Sequence, residues 1–268
     1  MNLAVLDDLL LEGDEDVDLQ ISGVSGPGAS IGTPSDRQVA TQDNESVQVV
    51  FDAASSSAAE AGGGHSVLLR LVATAGVMLA VLVGADAIDA GSGAATSGSD
   101  YGVFGTQTVT FPAGSGDGAT EPVNLAVLDD LLLEGDEDVN FQIDSVSGPG
   151  ASIGLPSTHE VTITNNEPEL TTTPANTGTL DFGNVRIGTT SMLSVTVTNT
   201  GFGPLSGTSS VTSGSAFGPG GSLAFGPLNP GQSTSRDYTY TPADRNLDLG
   251  IVTVTILRMA RNCAFSQV

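Results

Sequence analysis

Val127-Leu-Asp-Asp-Leu-Leu-Leu-Glu-Gly-Asp-Glu-Asp138 crowds six carboxylates into positions 129 to 138, with no cation among them. The same twelve residues stand at Val5 to Asp16, offset by 122. Agreement extends well beyond the acidic word, since Asn2 to Glu45 matches Asn124 to Glu167 at 32 of 44 positions. A period of that length is the length of one β-sandwich domain. The chain therefore reads as all-β, a tandem array of immunoglobulin-like sandwiches, and the acidic word falls where an apolar strand pattern, Val123 to Leu128, ends.

Six like charges this close repel, so a fold keeps them only where water solvates them or a cation neutralises them. Asp129, Asp130, Glu134, Asp136, Glu137 and Asp138 offer only hard oxygen. That density suits calcium, which takes 6 to 8 oxygens in flexible geometry, better than magnesium, which uses fewer carboxylates and keeps its waters. A solvated acidic loop is the competing reading. The verbatim recurrence, the preceding strand pattern and the turn-forming Gly135 favour the cation.

The 268 residues carry 31 acids against 7 Arg and no Lys, for a net charge of −24. The imbalance is local: residues 1–45 sum to −9, residues 46–167 to −15, and residues 168–268 to 0. Nucleic acid is excluded as a partner, because phosphate binding rests on Lys and Arg. Cys263 is the single cysteine, so neither an intrachain disulfide nor a thiolate metal site is available. The first thirty residues are acidic and lack the order of a secretory signal. Met1 falls inside a repeat unit, so a fragment of a longer protein or a misplaced start is expected.

In the first copy, strands are expected around Leu3 to Leu6, Val17 to Val24 and Gln38 to Thr41. Alone they leave unpaired edges and half a core, so this segment should lean on its neighbour. The second copy belongs to a complete unit of about seven short strands, including Val47 to Phe51, Val67 to Ala73, Val77 to Ala85, Thr106 to Phe111 and His159 to Thr164. The run Val67 to Ala85 almost reads as a membrane span. Arg70 and the Thr74-Ala75-Gly76 turn argue for two strands instead.

Glu60-Ala-Gly-Gly, Ser99-Asp100-Tyr101, Thr108-Val-Thr-Phe-Pro-Ala-Gly114 and Asp129-Asp130 followed by Glu134 and Glu137 occur in that order. Together they resemble the Calx-beta domain, the calcium-binding module of sodium/calcium exchangers, integrin β4 and many bacterial surface proteins. The resemblance implies that loops at one end of a sandwich gather Glu60, Asp100, Asp130, Glu134 and Glu137 around Ca2+, with Asp129 and Asp136 nearby. Many members finish with a run of Asp; here Asn165, Asn166 and Glu167 stand in its place, which implies fewer ions or weaker binding. In the first copy Asp8, Glu12 and Glu15 match, while counterparts of Glu60 and Asp100 are absent. That copy has half a site.

The resulting division is 1–45 a partial Calx-beta-like repeat, 46–167 a complete one, 168–174 a linker, 175–256 a spacer domain and 257–268 an irregular tail. The spacer, through Leu180-Asp-Phe-Gly-Asn-Val-Arg-Ile-Gly188 and Ser194-Val-Thr-Val-Thr-Asn-Thr-Gly201, resembles the immunoglobulin-like domain of the abnormal-spindle and hydin class.

Three functions compete. The first is a calcium-stiffened adhesion or display module, extracellular or at the cell surface, whose partners are calcium ions, neighbouring domains and a surface ligand. The second is a regulatory calcium-sensing module of a membrane protein, and the third a spacer without calcium. An enzyme, for example a glycosidase using Asp130 with Glu134 or Glu137, is disfavoured. Such chemistry needs one carboxyl kept protonated in a dry pocket, and no catalytic constellation accompanies the isolated His65 and His159, read as surface or turn residues.

Overall fold

The computed structural model describes residues 3–175, 180–245, 250–256 and 263–266. They fold as tandem β-sandwiches with no α-helix among the described residues, and the chain divides into two compact units.

The first unit is centred on a sandwich built from strands β4 (Val47–Phe51), β5 (Ser55–Ala59), β6 (His65–Ala73), β7 (Met78–Leu79), β8 (Val83–Asp89), β9 (Gln107–Phe111), β10 (Thr120–Leu125), β11 (Glu137–Ser147), β12 (Ala151–Ile153) and β13 (Thr158–Thr164). One sheet has the order β10-β6-β4-β12, with β12 parallel to β4, and the other β5-β13-β11-β8-β9. Period-two alternation makes the core: Val67, Leu69 and Leu71 of β6 point inward, and so do Val139, Phe141 and Ile143 of β11. Phe51, Phe111 and Phe141 are fully buried in one cluster with them. Residues 67–85, weighed above as a membrane span, run through β6, β7 and the start of β8, with turns between them. No described helix is long and apolar enough to cross a membrane.

Residues of the first repeat also belong to this unit. β1 (Leu10–Leu11) pairs in parallel with β7, Leu10 opposite Met78 and Leu11 opposite Leu79, and Leu11 enters the sandwich core. β2 (Glu15–Gln20) and β3 (Asp36–Thr41) form a two-stranded antiparallel sheet of their own. The expected strand at Leu3 to Leu6 does not form. Its equivalent in the second copy, the end of β10, is held by pairing with β6, Leu125 opposite His65, and residues 3–6 have no such ladder.

The second unit takes in 59–61, 129–136 and the chain from 164 onward. Its sheets are β14 (Leu170–Thr173), β15 (Ser191–Asn199), β19 (Ser233–Tyr240) and β17 (Phe217–Gly218), in that order, and β18 (Ser222–Leu228), β16 (Leu205–Ser213), β20 (Ile251–Ile256) and β21 (Cys263–Ser266). Leu170, Val195, Val197, Leu205, Phe225, Tyr238 and Val254 are buried together. The segment read as an irregular tail thus supplies a strand, because Cys263 to Ser266 pair antiparallel with Ile251 to Val254 and continue the β20 ladder. Residues 257–262 and 267–268 lie outside the described residues.

Candidate metal centre

Three short segments of the second unit bring acids together: residues 59–61 at the end of β5 and the turn after it, the acidic loop 129–136, and residues 165–167 that follow β13. The loop is organised by its own side chains. Asp130 Oδ1 accepts the Leu132 amide at 2.6 Å, an Asx-type turn, and the Asp130 amide donates to Glu60 Oε1 at 3.4 Å. Asn166 Nδ2 donates to Asp129 Oδ1 at 2.8 Å, and the Asn165 amide donates to Asp136 Oδ1 at 3.1 Å.

Asn165 was expected among the less certain metal ligands, and its hydrogen bonds give it a positioning role. Its Oδ1 accepts the Glu167 amide at 2.7 Å while its Nδ2 donates to the Glu134 carbonyl at 2.7 Å. Both ends of the amide are engaged in clipping the acidic loop to the segment after β13. A carboxylate could not make the second bond, since it has no proton to give.

Glu167 is the most constrained acid. It is 1% exposed, and among the described residues neither of its carboxylate oxygens accepts a well-formed hydrogen bond, although the Asn166 backbone amide and the Glu60 carboxyl lie near enough to offset part of the rise in its pKa. Asn166 Oδ1 is a third buried acceptor of this kind. Glu60, 7% exposed, is also buried. Burial raises the pKa of both Glu60 and Glu167; the charge of Glu167 adds to the effect on Glu60, and those of Asp129 and Asp130 add to the effect on Glu167. Buried oxygens without donors are costly unless a proton or a cation meets them.

Within the first unit, Asp100 and Glu137 each bring a carboxylate oxygen to within 4.8 Å of the other. Asp100 is nearly buried; its Oδ2 accepts the Thr96 amide at 2.5 Å, and its carbonyl accepts the Leu128 amide at 2.9 Å, tying it to the start of the acidic loop. Beside it, the Tyr101 hydroxyl donates to Asp89 Oδ2 at 2.5 Å. Burial first, and Asp89 second, push the Tyr101 pKa up to about 12. Asp89 and this tyrosine contact were not anticipated from sequence, where Asp89 looks like one more strand-end acid.

The first copy repeats the wiring without the burial. Leu10 donates to Asp8 Oδ1 (2.9 Å), Asn44 Nδ2 to Asp7 Oδ1 (3.1 Å), Asp43 N to Asp14 Oδ1 (3.0 Å) and Glu45 N to Asp43 Oδ1 (3.1 Å). Asp8 and Glu15 are exposed and Glu12 is half-buried. The charge of Glu15, then burial, then Asp8 and Asp43, raise the Glu12 pKa.

No family model matches the chain, and no curated protein matches it in sequence. Among solved structures, the apo-form Calx CBD1 domain is 20% identical, with a TM-score of 0.40 over 46% of this chain and 100% of that one. The CBD12 pair from CALX1.2 is 16% identical, with a TM-score of 0.43 over 77% of this chain and 79% of that one. The Calx CBD2 domain is 13% identical, with a TM-score of 0.37 over 46% and 90%.

His159 overturns the reading of the histidines as surface or turn residues, and His65 stands half-buried at the start of β6. His159 is 3% exposed and packs against Phe51, with ring centroids 5.5 Å apart. Its Nδ1 lies 2.7 Å from the Ala53 carbonyl, which requires the proton on Nδ1 and leaves Nε2 to accept the Ser56 hydroxyl at 2.7 Å. His65 Nε2 then donates to Ser56 Oγ at 2.8 Å. β13 and β5 belong to one sheet and β6 to the other, so this network ties the two sheets together. Isolated in sequence, the three residues gave no sign of meeting.

Proposed function

We propose that this chain is a calcium-binding structural module of a secreted or cell-surface repeat protein, with Ca2+ stiffening the domain array. Glu167 carries the reading: a carboxylate 1% exposed, whose two oxygens accept no well-formed hydrogen bond among the described residues, set close to the charges of Glu60, Asp129 and Asp130. A cation made of hard charge relieves burial and mutual repulsion at once, and oxygen-only donors match calcium. Glu60, Asp129, Asp130 and Glu167 are the ligands of this reading, and Asn165 and Asn166 position them; Asp100 and Glu137 are a separate acidic pair of the first unit. Glu134 and Asp136 lie on the same acidic loop, which Asn165 holds.

The test is a calorimetric calcium titration of the full chain beside the Glu60→Gln, Glu167→Gln double variant, with magnesium as control. Saturable calcium binding that the double variant loses supports the reading. An unchanged melting temperature and no heat at millimolar calcium would leave a solvated acidic spacer.

A further inference from the structure

Both histidines of the chain meet on one oxygen, the Ser56 hydroxyl. His159 is the fixed partner. It is 3% exposed, packs against Phe51 and holds its Nδ1–H on the Ala53 carbonyl at 2.7 Å, which turns the Nε2 lone pair toward Ser56 Oγ, 2.7 Å away. An imidazole with one N–H engaged by a backbone carbonyl and the other nitrogen bare is the state in which histidine ligates a metal. His65 is the adjustable partner. It stands half-buried on the first residue of β6, directly after Gly62-Gly63-Gly64, and aims its Nε2 at the same hydroxyl from 2.8 Å. Moving its proton from Nε2 to Nδ1 gives it a lone pair there as well. Burial first, and the charge of His159 second, lower the His65 pKa, which keeps the ring neutral at neutral pH. Ser56 between them is half-buried, so water reaches the meeting point.

We propose that His65 and His159 form a site for a d-block divalent cation, Zn2+ or Cu2+, with Ser56 Oγ and water as the remaining ligands. Two imidazoles suit these metals and not calcium, which takes oxygen alone, so the donor set separates this site from the acidic group. Ligation brings each nitrogen to about 2.0–2.1 Å from the ion, closer than the hydrogen bonds it replaces. His65 makes that adjustment, because its side chain is only half-buried and three glycines precede it. No net proton leaves at neutral pH: the His65 proton passes to Nδ1 and the Ser56 hydroxyl keeps its own. β13 carries His159 in one sheet and β6 carries His65 in the other, so the ion clamps the sandwich across its two layers. This clamp works with or without calcium at the acidic loop.

Zn2+ alone, added to the isotope-labelled full chain in calcium-free buffer at neutral pH, is followed by proton–nitrogen NMR of the two imidazoles. Saturable shifts of both Nε2 resonances are expected, with a rise in melting temperature. His65→Gln should weaken zinc binding at least about tenfold and abolish that rise. Ser56→Ala removes the bridging hydroxyl yet keeps both imidazoles, so it should weaken binding by less than His65→Gln does. Should His65→Gln fail to fold, the zinc shifts in the parent and in Ser56→Ala decide alone. Calcium at the same concentration should leave both imidazoles unmoved, whatever it does at the acidic loop. Nε2 signals indifferent to millimolar Zn2+, equal affinity in His65→Gln, a larger loss in Ser56→Ala than in His65→Gln, or the same imidazole shifts with calcium would each overturn the proposal.

Discussion

Val5 to Asp16 and Val127 to Asp138 are the same twelve residues, yet one word sits on an open hairpin and the other leads into a buried ladder. Four hydrogen bonds recur in both: position 8 or 130 with the amide two residues on, 44 or 166 with 7 or 129, 43 or 165 with 14 or 136, and 45 or 167 with 43 or 165. Two of these bonds are local, a short polar side chain taking the amide two residues on. The other two join the acidic word to the segment after β3 or β13, 29 and 37 residues away, and recur because β2–β3 pair as β11–β13 do. One difference redirects the loop. Asp43 Oδ2 accepts the Glu12 and Gly13 amides, at 3.0 and 2.8 Å, whereas Asn165 donates to the Glu134 carbonyl. The peptide groups around the glycine consequently face opposite ways: Gly13 takes a left-handed φ of 92°, and Gly135, expected to be the turn former, does not.

The largest predicted contrast concerns the core. Ile143→Ala should destabilise the first unit by about 2–5 kcal/mol, as truncation of a buried aliphatic does, while Ile21→Ala should stay within about 0.5 kcal/mol. Urea unfolding measures both, and equal effects would show that the two copies are equally packed in solution.

Next comes calcium. At a hundredfold excess over its dissociation constant, an ion bound only to the folded state adds about 2.7 kcal/mol. Glu167→Gln should remove most of that increment, and Glu45→Gln, half-buried in the open copy, should leave it unchanged. Thermal melts with and without calcium decide; retention of the increment in Glu167→Gln would move the site elsewhere.

The pH dependence has a definite sign. Glu60 and Glu167 hold protons more tightly folded than unfolded, so the fold gains from protonation. Calcium-free stability from these groups is therefore greatest below the ordinary glutamate pKa and is lost as pH rises through the raised values. Melting temperatures without calcium should climb on acidification from neutral pH, and this climb should be smaller in Glu60→Gln, Glu167→Gln. An identical pH profile in that variant would contradict the assignment.

The smallest effect tests the single amide. Asn165→Asp removes the donor to the Glu134 carbonyl and should cost about 1 kcal/mol without calcium. It should also shift the Gly135 backbone couplings toward the left-handed values of Gly13, which NMR reads directly.

Much of the fold was legible because β-branched and apolar residues alternate in β6 and β11, and each strand's inward face follows from that period. Of the acidic group, the nearness of Glu60, Asp129, Asp130 and Glu167 follows the order of the motifs, whereas the clip that Asn165 makes does not. Its role depends on which atoms of residues 134 and 167 come within reach of its amide, and residue order does not give that. Tyr101 with Asp89, and Ser56 with His65 and His159, were illegible for the same reason, since their contacts cross between strands.

By itself the sequence determined the all-β class, the 122-residue repeat and the location of the charge, because each depends on residue type and order along the chain. Tertiary structure alone decided that Glu167 is buried while Glu45 is half-buried, and that Ile143 is core while Ile21 faces solvent. For Ile143 the physical reason is pairing: identical side chains are buried only where another strand, here β8, lies on the open edge beside them.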